Sequence, residues 1–202
     1  MIIFAGFFSL LCFLLCSCKQ IILWRYGIHE PRMENPGSIH HFLAARGYPE
    51  ENIFIFRDSA AWCRFLSDSV YRSNLPGTVF FSQHGLLDHL KDTSRCPHSG
   101  KNYVSILKKD TAYSADTGRT FARLMAMLIP LSEETRVDTA GADFYAVILW
   151  GNFLGKYNDF LFGIREPARG NKEVTTKPVF INIDMQSGWG LDEKQELRFS
   201  TD

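Results

Sequence analysis

The segment FYAVILW, residues 144 to 150, restricts the fold more than any other part of the chain. All seven side chains are apolar or aromatic, and β-branched and aromatic residues favour an extended strand. A strand with no polar face has no side that can be left in water, so it must lie inside a sheet that is covered on both faces. The segment therefore predicts a layered architecture with helices on both faces of a central sheet.

Apolar strand-like runs alternate with amphipathic segments along the rest of the chain. Strands are predicted at 20–28, 52–56, 78–81, 86–90 and 177–185, and helices at 39–46, 60–72, 100–109, 117–131 and 154–165. Ser38, Asp58 or Ser59, and Thr117 are the predicted N-caps, and Gly47 is a predicted helix stop. The turn at 82–85 predicts a hairpin. This alternation favours an α/β layered fold with a central mixed sheet flanked by helices.

The first 18 residues, MIIFAGFFSLLCFLLCSC, contain no charged side chain. As a helix they would span about 27 Å, close to the roughly 30 Å of a bilayer core. Leu15-Cys16-Ser17-Cys18 resembles the bacterial lipobox, although no Lys or Arg precedes the apolar run. The resemblance implies a signal peptide at 1–17 and a mature chain, 18–202, attached to a membrane through lipid on Cys18. A retained anchor is the alternative, and the lack of any polar face disfavours a buried helix.

Charge and cysteine content exclude several classes of function. Lys and Arg together number 22 and so do Asp and Glu, so the 202-residue chain is neutral and lacks an overall basic footprint for nucleic acid. After residue 18 the only cysteines are Cys63 and Cys96. They form no Cys-x-x-Cys motif, which excludes a zinc ribbon and a thioredoxin-type dithiol. An oxidising compartment would permit a disulfide between them, and Cys63 is otherwise a small core residue on a helix.

Two segments resemble parts of thioredoxin. LPGTVFFSQHGLL is similar to the region in which a cis-proline precedes a strand, a glycine turn and the last strand; Pro76 would be that proline, beside the loop of His29 and Glu30. VILWGNFLGKYN resembles the strand, Trp, turn and helix of periplasmic thiol-disulfide oxidoreductases, but no cysteine follows Trp150. The first alignment implies a core at 20–109 in the order β-α-β-α-β-β-α, to which residues 110–202 are added. The alternative is that the chain consists of two diverged halves.

The whole chain also resembles lipoproteins of the Bacteroidota with a similar YGIHEP opening and FINIDMQSGW close. That likeness implies a cell-envelope location, on the periplasmic or surface side of a membrane, and a thioredoxin-like fold without the Cys-x-x-Cys motif. It implies no particular reaction.

Several polar residues could carry chemistry. A metal or acid–base site could form from His29, Glu30 and His40. A three-histidine zinc site could form from His84, His89 and His98, and Cys96 near His98 could be a nucleophile. The competing interpretation of each group is a set of exposed polar or structural residues.

These patterns favour a non-catalytic thioredoxin-like binding or scaffold module that needs no cofactor or metal. Its expected partners are the membrane, through the N-terminal lipid, and an envelope protein or small molecule that binds near His29, Glu30 and Pro76, but not nucleic acid. A thiol enzyme that uses Cys96 and Cys63, or a metal-binding module, is the alternative.

Overall fold

The computed structural model describes residues 23–87, 103–104, 107–108, 113–132 and 141–191. These residues form an α/β fold in which helices flank a seven-stranded mixed sheet, which confirms the predicted layered architecture. Within the described part of the chain, no helix has both the length and the apolar content needed to cross a bilayer.

The helices and strands follow one another as short elements. The helices are α1 (Pro36–Arg46), α2 (Ser59–Ser67), α3 (Ser69–Ser73), α4 (Phe121–Met125), α5 (Asn158–Phe162) and α6 (Arg165–Gly170). The strands are β1 (Ile53–Phe56), β2 (Gly77–Ser82), β3 (Gly85–Leu87), β4 (Ala115–Asp116), β5 (Leu128–Pro130), β6 (Phe144–Trp150) and β7 (Thr176–Asn182). Two 3-10 helices span Asn152–Tyr157 and Ser187–Trp189.

The strand order across the sheet is β4-β3-β2-β6-β7-β1-β5. Strand β7 runs parallel to its neighbours β6 and β1, and the other pairings are antiparallel. All seven residues of β6 are buried in the middle of the sheet, so the position predicted for this strand is confirmed. Strands from 20–109 and from 110–202 are interleaved in this single sheet.

Side-chain alternation along β6 divides the core between the two faces of the sheet. Ala146, Ile148 and Trp150 belong to the cluster that contains buried residues of α1, α5 and α6. Val147 and Leu149 belong to the cluster that contains buried residues of α2, α3 and α4. Because both faces are covered, the strand that has no polar side is stable only at this central position.

Short polar side chains determine where the helices begin and end. Asn35 caps α1, in a reciprocal capping box with Ser38, so the prediction of Ser38 as the cap was wrong by three residues. Gly47 ends α1 in the left-handed conformation and Asp58 caps α2, as predicted. The predicted helix at 60–72 divides at Asp68, whose carboxylate accepts from the backbone of Val70 and so starts a new helix.

The strand predicted at 20–28 was wrong for its described part. Residues 23–26 form a helical turn, and Trp24 is 85 % exposed. The turn is closed by hydrogen bonds from Gly27 N to Trp24 O (3.1 Å) and from Ile28 N to Leu23 O (2.8 Å), with Gly27 at φ +63°. Local bonds therefore satisfy the backbone without a neighbouring strand.

The long helix predicted at 117–131 was also wrong. Thr120, and not Thr117, caps the short helix α4, and the chain then becomes strand β5. Strand β5 pairs antiparallel with the edge of β1, so that Ile129 lies opposite Ile55. The free edge of β1 therefore overrides a local helical pattern, since pairing satisfies backbone groups that the sheet would otherwise leave open.

Three further predicted elements are confirmed only in part. The helix at 154–165 is divided between a 3-10 helix, α5 and α6, with a break at Gly155. The hairpin forms, and Ser82 pairs with Gly85, but 88–90 lie outside the described residues. Of the helix at 100–109, residues 103–104 are helical and 107–108 are not, and the rest lie outside the described residues.

Candidate functional site

The two thioredoxin-resembling segments lie side by side in the sheet. Strand β2, from the first segment, pairs antiparallel with β6, from the second, and Gly77 lies opposite Leu149. The Leu75–Pro76 peptide bond is cis. Because Pro76 directly precedes Gly77, it lies at the end of the sheet where β6 finishes with Trp150.

The carboxyl ends of β6 and β7 meet at the same edge, where Trp150 lies opposite Asn182. The polar residues directly at and after these ends, namely Asn152, Asn182, Asp184 and Gln186, together with Gly151, are called the corner below. All four polar residues are buried. Crevices at the carboxyl ends of parallel strands are where open α/β sheets bind ligands, so this edge is the first place to look for a site.

Asp184 is the centre of the corner and is only 2 % exposed. Its Oδ2 accepts a 2.6 Å hydrogen bond from the backbone N–H of Asn152 and a 2.9 Å bond from Nδ2 of Asn182. The Asn182 side chain in turn accepts from the backbone N–H of Asp184 (3.1 Å), and Gln186 Nε2 donates to the Asp184 carbonyl (2.9 Å). One carboxylate thus ties together the ends of two parallel strands.

The pKa of Asp184 is raised to about 6, because burial disfavours the charged carboxylate. The hydrogen bonds from Asn152 and Asn182 oppose this rise, since they stabilise the charged form. The negative charge of Glu34 raises the pKa further, and His29 lowers it. The carboxyl group can therefore gain or lose a proton close to physiological pH.

Several buried atoms in and beside the corner have no hydrogen-bond partner among the residues that the structure describes. They are Trp150 Nε1, Asn152 Oδ1, Asn158 Oδ1, Asp184 Oδ1 and Gln186 Oε1. Four of these five atoms are oxygen acceptors. Most buried polar groups in proteins are satisfied, so this concentration of unpaired acceptors is a distinctive feature of the corner, which a buried water or a donor group of a ligand can satisfy.

A segment of the N-terminal region, residues 29–34, crosses the corner and is called the strap below. His29 N donates to Phe153 O (3.0 Å) at one end of the strap. At the other end, Glu34 N donates to Met185 O and the Glu34 carbonyl oxygen accepts from Ser187 N, both at 2.8 Å. The residues between these ends include the exposed Glu30, Pro31 and Arg32. The strap therefore brings charged side chains to the outside of a buried carboxyl group.

Two glycines allow the backbone to turn at this edge. Gly155 has φ +53°, and a Cβ there would lie 2.4 Å from the carbonyl oxygens of Tyr26 and Gly27. A Cβ on Gly151 would lie 2.6 Å from the Phe153 ring and 3.0 Å from Asp184 Oδ1. Asn158 fixes the turn between them, since its Nδ2 donates to the carbonyls of Gly151 (2.8 Å) and Gly155 (3.1 Å).

The histidine groups considered in the sequence are placed separately. His29 and Glu30 are on the strap, whereas His40 Nδ1 lies 2.9 Å from Oε2 of Glu50. Among the described residues no group of three or more His, Cys, Asp and Glu side chains is arranged to hold a metal ion. His84 is exposed in the hairpin turn. His89 and His98 lie outside the described residues.

Cys63 lies on α2, partly buried against the core, which matches its interpretation as a small core residue. It is the only cysteine among the residues that the structure describes. Cys18 and Cys96 lie outside that part of the chain, and so the lipid attachment and a Cys63–Cys96 disulfide stay predictions.

The sequence predicted where the corner lies better than it predicted which residues form it. Asn152 and Asp184 each follow a buried apolar strand within two residues, and that shared position was the available signal.

Nothing in the sequence pattern singled out Arg165, whose guanidinium lies 4.3 Å from the Phe180 ring centroid and donates to the carbonyls of Pro49 and Glu51. Burial lowers its pKa to about 10.

The corner contains buried acceptor oxygens and one carboxyl group with a raised pKa, but its amide and carboxyl groups cannot carry out thiol–disulfide exchange. Comparison with models of protein families, with curated proteins and with solved structures found no match to this chain.

Proposed function

We propose that this protein is a lipoprotein of the bacterial cell envelope, attached to a membrane through Cys18, whose α/β domain is a non-catalytic, thioredoxin-like binding module. The observation that carries the proposal is the pairing of β2 with β6, which places the strand after Pro76 beside the strand that ends at Trp150. These are the two segments that resemble thioredoxin, and here they adjoin one site.

The chain order supports a rearranged version of that fold. In the thioredoxin pattern the strand before the redox turn precedes the proline strand, whereas here β2 precedes β6 in the chain. The parallel pair of β6 and β7 and the antiparallel pair of β6 and β2 supply the neighbours that the pattern needs around its central strand. After Trp150, where the resemblance would place a cysteine pair, the chain has Gly151, Asn152, Phe153 and Leu154. The backbone N–H of Asn152 donates to the buried carboxylate of Asp184.

The binding surface in this proposal is the strap together with the corner beneath it. Glu30, Pro31 and Arg32 are exposed, and the unpaired acceptor oxygens of Asn152, Asp184 and Gln186 lie at the strand ends. This arrangement suits a ligand that presents hydrogen-bond donors, in a small molecule or on the surface of an envelope protein.

Metabolic labelling with radioactive palmitate tests the attachment. The wild-type chain and the variant Cys16→Ala should both incorporate label. Cys16 lies inside the predicted signal peptide, and alanine is a small residue that signal peptidases accept near the cleavage site. Cys18→Ala should lose the label and stay at precursor size. Equal labelling of Cys18→Ala and the wild-type chain would refute the lipid assignment.

An insulin-reduction assay with dithiothreitol tests the absence of thiol catalysis. The wild-type chain and the variants Cys63→Ser and Cys96→Ser should all give the uncatalysed rate, since none of the residues that form the corner is a cysteine. Turnover by the wild-type chain that disappears in Cys96→Ser would replace the binding proposal with the thiol-enzyme alternative.

A photo-crosslinking amino acid at position 30 tests the binding surface in cells. We expect a discrete adduct from position 30 on the strap and none from position 83, which is exposed in the hairpin turn. Identical adducts from both positions, or none from either, would contradict a specific surface at the strap.

A further inference from the structure

The strap is attached to the domain at its two ends and is otherwise open to water. Among the described residues, its backbone hydrogen bonds to the rest of the domain join His29 to Phe153 at one end, and Glu34 to Met185 and Ser187 at the other. The side chains of its first four residues are exposed, and the other two are half-buried. No side chain of the strap belongs to either of the core clusters that the described residues form. Because its apolar contacts are few, the strap should detach at a lower cost in free energy than the strands next to it.

The two attachment points of the strap lie on either side of Asp184. At one end the strap bonds to Phe153, which directly follows Asn152, the backbone donor to Asp184 Oδ2. At the other end it bonds to Met185, which directly follows Asp184 itself. Release of the strap therefore frees both segments that enclose the carboxyl group.

The burial of the Asp184 carboxyl group is only partly compensated. Its Oδ2 accepts two hydrogen bonds, whereas its Oδ1 has no hydrogen-bond partner among the described residues. Within the same part of the chain, no ion pair joins Asp184 to a cationic side chain. In the closed structure the ionised carboxylate thus has no counter-charge and one oxygen that is shielded from water, so that burial costs the ionised form more than the neutral form.

The charged groups that act on Asp184 belong to the strap. The negative charge of Glu34 raises the pKa of Asp184, and His29 lowers it. The strand ends supply the uncharged amides of Asn152 and Asn182, and α2 supplies an uncharged indole to the neighbouring carbonyl. In the closed structure the pKa of Asp184 is about 6, so the closed form binds the proton more tightly than an open form with a hydrated carboxyl group. This contribution to closure is complete at low pH and is lost as the pH rises through about 6.

We propose that the strap is a proton-dependent lid over the corner, which stays closed while the Asp184 carboxyl group is protonated and opens more often once that group is ionised. Opening hydrates the carboxylate and its unpaired oxygen, and it gives a ligand access to the corner. Only this access rests on the proposed binding function, because the opening itself follows from how the strap and the carboxyl group are arranged.

Hydrogen–deuterium exchange of the full-length chain in detergent, measured by mass spectrometry, tests the proposal. The reporters are the backbone N–H groups of His29 and Glu34, which are protected by their bonds to Phe153 O and Met185 O. The intrinsic exchange rate at each pH, divided by the measured rate, gives a protection factor that reports how often the strap opens. Between about pH 4.5 and 7.5 this factor should fall by at least about fivefold and at most about 100-fold, since one pKa unit corresponds to a factor of about ten.

Two comparisons show whether the opening is local and whether Asp184 controls it. The N–H of Phe180, which donates to Asn52 O (2.9 Å) inside the sheet, should stay at least about tenfold more protected than the strap reporters at each pH. Asp184→Asn should keep the protection of the strap constant over the pH range, because an amide does not ionise. Equal protection of Phe180 and the strap would overturn the proposal, since only unfolding of the whole domain would then expose the carboxyl group. An equal fall in the wild-type chain and Asp184→Asn would overturn it as well.

Variants of the two charged strap residues keep the test independent of how well Asp184→Asn folds. Glu34→Gln should move the midpoint of the change to lower pH, because Glu34 raises the pKa of Asp184, and glutamine can still accept the bond from Ser38 Oγ. His29→Gln should move the midpoint to higher pH for the opposite reason. A midpoint that is unchanged in both variants, or a pH dependence that disappears in His29→Gln, would assign the change to another group and so contradict the proposal. All these measurements are made without a ligand, so their outcome is separate from that of the proposed binding function.

Discussion

The middles of strands β6 and β7 depend on apolar packing, whereas their carboxyl ends depend on hydrogen bonds between buried polar groups, although the two regions are only a few residues apart. Val147, Ile148, Val179 and Phe180 are fully buried and apolar, and they need only neighbours of the right volume. At the corner, Asn182 and Asp184 are buried just as deeply, but each of their polar atoms costs free energy when it has no hydrogen-bond partner. The first region gives stability, and the second gives a defined position to a titratable group.

This contrast suggests that substitutions should act through packing in the middle of the strands and through unsatisfied polar groups at their ends. The corner also contains acceptors that the protein leaves unpaired, whereas the strand middles contain none among the described residues. A region that is optimised only for stability would fill such positions with apolar side chains. Four measurements test the contrast, from the largest expected effect to the smallest.

Phe180→Ala should have the largest effect, a loss of about 3–5 kcal/mol in the free energy of unfolding. Phe180 is fully buried, stacks on Phe162 at 4.6 Å and contacts the guanidinium of Arg165, so its loss leaves a cavity beside a buried cation. Urea unfolding measures the change. Phe160→Ala is the control, because that ring is partly exposed and should cost under about 1 kcal/mol. Similar losses in both variants would contradict the packing argument.

Asn158→Ala should cost about 2–4 kcal/mol, because two buried carbonyl groups, those of Gly151 and Gly155, lose their donor. Asn171→Ala is the matched control, since Asn171 Nδ2 also donates to two carbonyls, those of Val104 and Leu107, but is only partly buried. Water can replace the donor there, so the loss should be smaller. If Asn171→Ala costs as much as Asn158→Ala, burial does not set the cost of these bonds.

Asp184→Asn should change how stability depends on pH. The pKa of Asp184 is raised from 3.8 to about 6 on folding, so the folded state binds the proton more tightly than the unfolded state. The wild-type protein should therefore lose stability as the pH rises from about 4 through 6, by at most about 3 kcal/mol, and Asp184→Asn should lack this loss. The asparagine oxygen can still accept the bonds that Asp184 Oδ2 receives.

Urea unfolding at a series of pH values from 4 to 7.5 measures this difference. Glu34 and His29, whose charges act on the pKa of Asp184, are present in both proteins. Glu166→Gln, at an exposed position on α6, should follow the wild-type curve. Parallel curves for the wild-type protein and Asp184→Asn would show that the carboxyl group is not desolvated on folding.

Asn35→Ala should have the smallest effect, about 1 kcal/mol. Asn35 caps α1 at the end of the strap and is exposed, so that its loss removes a hydrogen bond to Ser38 N without leaving a buried group unsatisfied. Urea unfolding at neutral pH measures the loss, and Asn35→Asp should recover most of it because the carboxylate can also cap. A cost as large as that of Asn158→Ala would remove the distinction between exposed and buried polar groups.

Local sequence patterns predicted most strands and the helix ends near strong caps. The apolar runs at β1, β2, β6 and β7 were recognised because no other arrangement can hide them. The segment 20–28 and the end of 117–131 failed for one reason. An apolar run is compatible with a strand or a helix, and only the presence or absence of a free sheet edge decides between them.

The candidate site was less predictable than the fold. His29 and Glu30 were identified as a loop pair, and the structure places them on the strap over Asp184, but a carboxylate at the end of a strand carries no signal of its own burial. The desolvation that raises the pKa of Asp184 comes from elements far apart in sequence, including the strap and the turn at Gly151.

By itself, the sequence determined that a layered α/β domain follows a long uncharged segment, because burial of apolar runs and exclusion of charge depend only on the order of the residues. The tertiary structure decided which strands are neighbours, that the two segments on either side of residue 110 share one sheet, and that one carboxyl group is removed from water. Those features depend on contacts between residues distant in the chain, and no local pattern contains them.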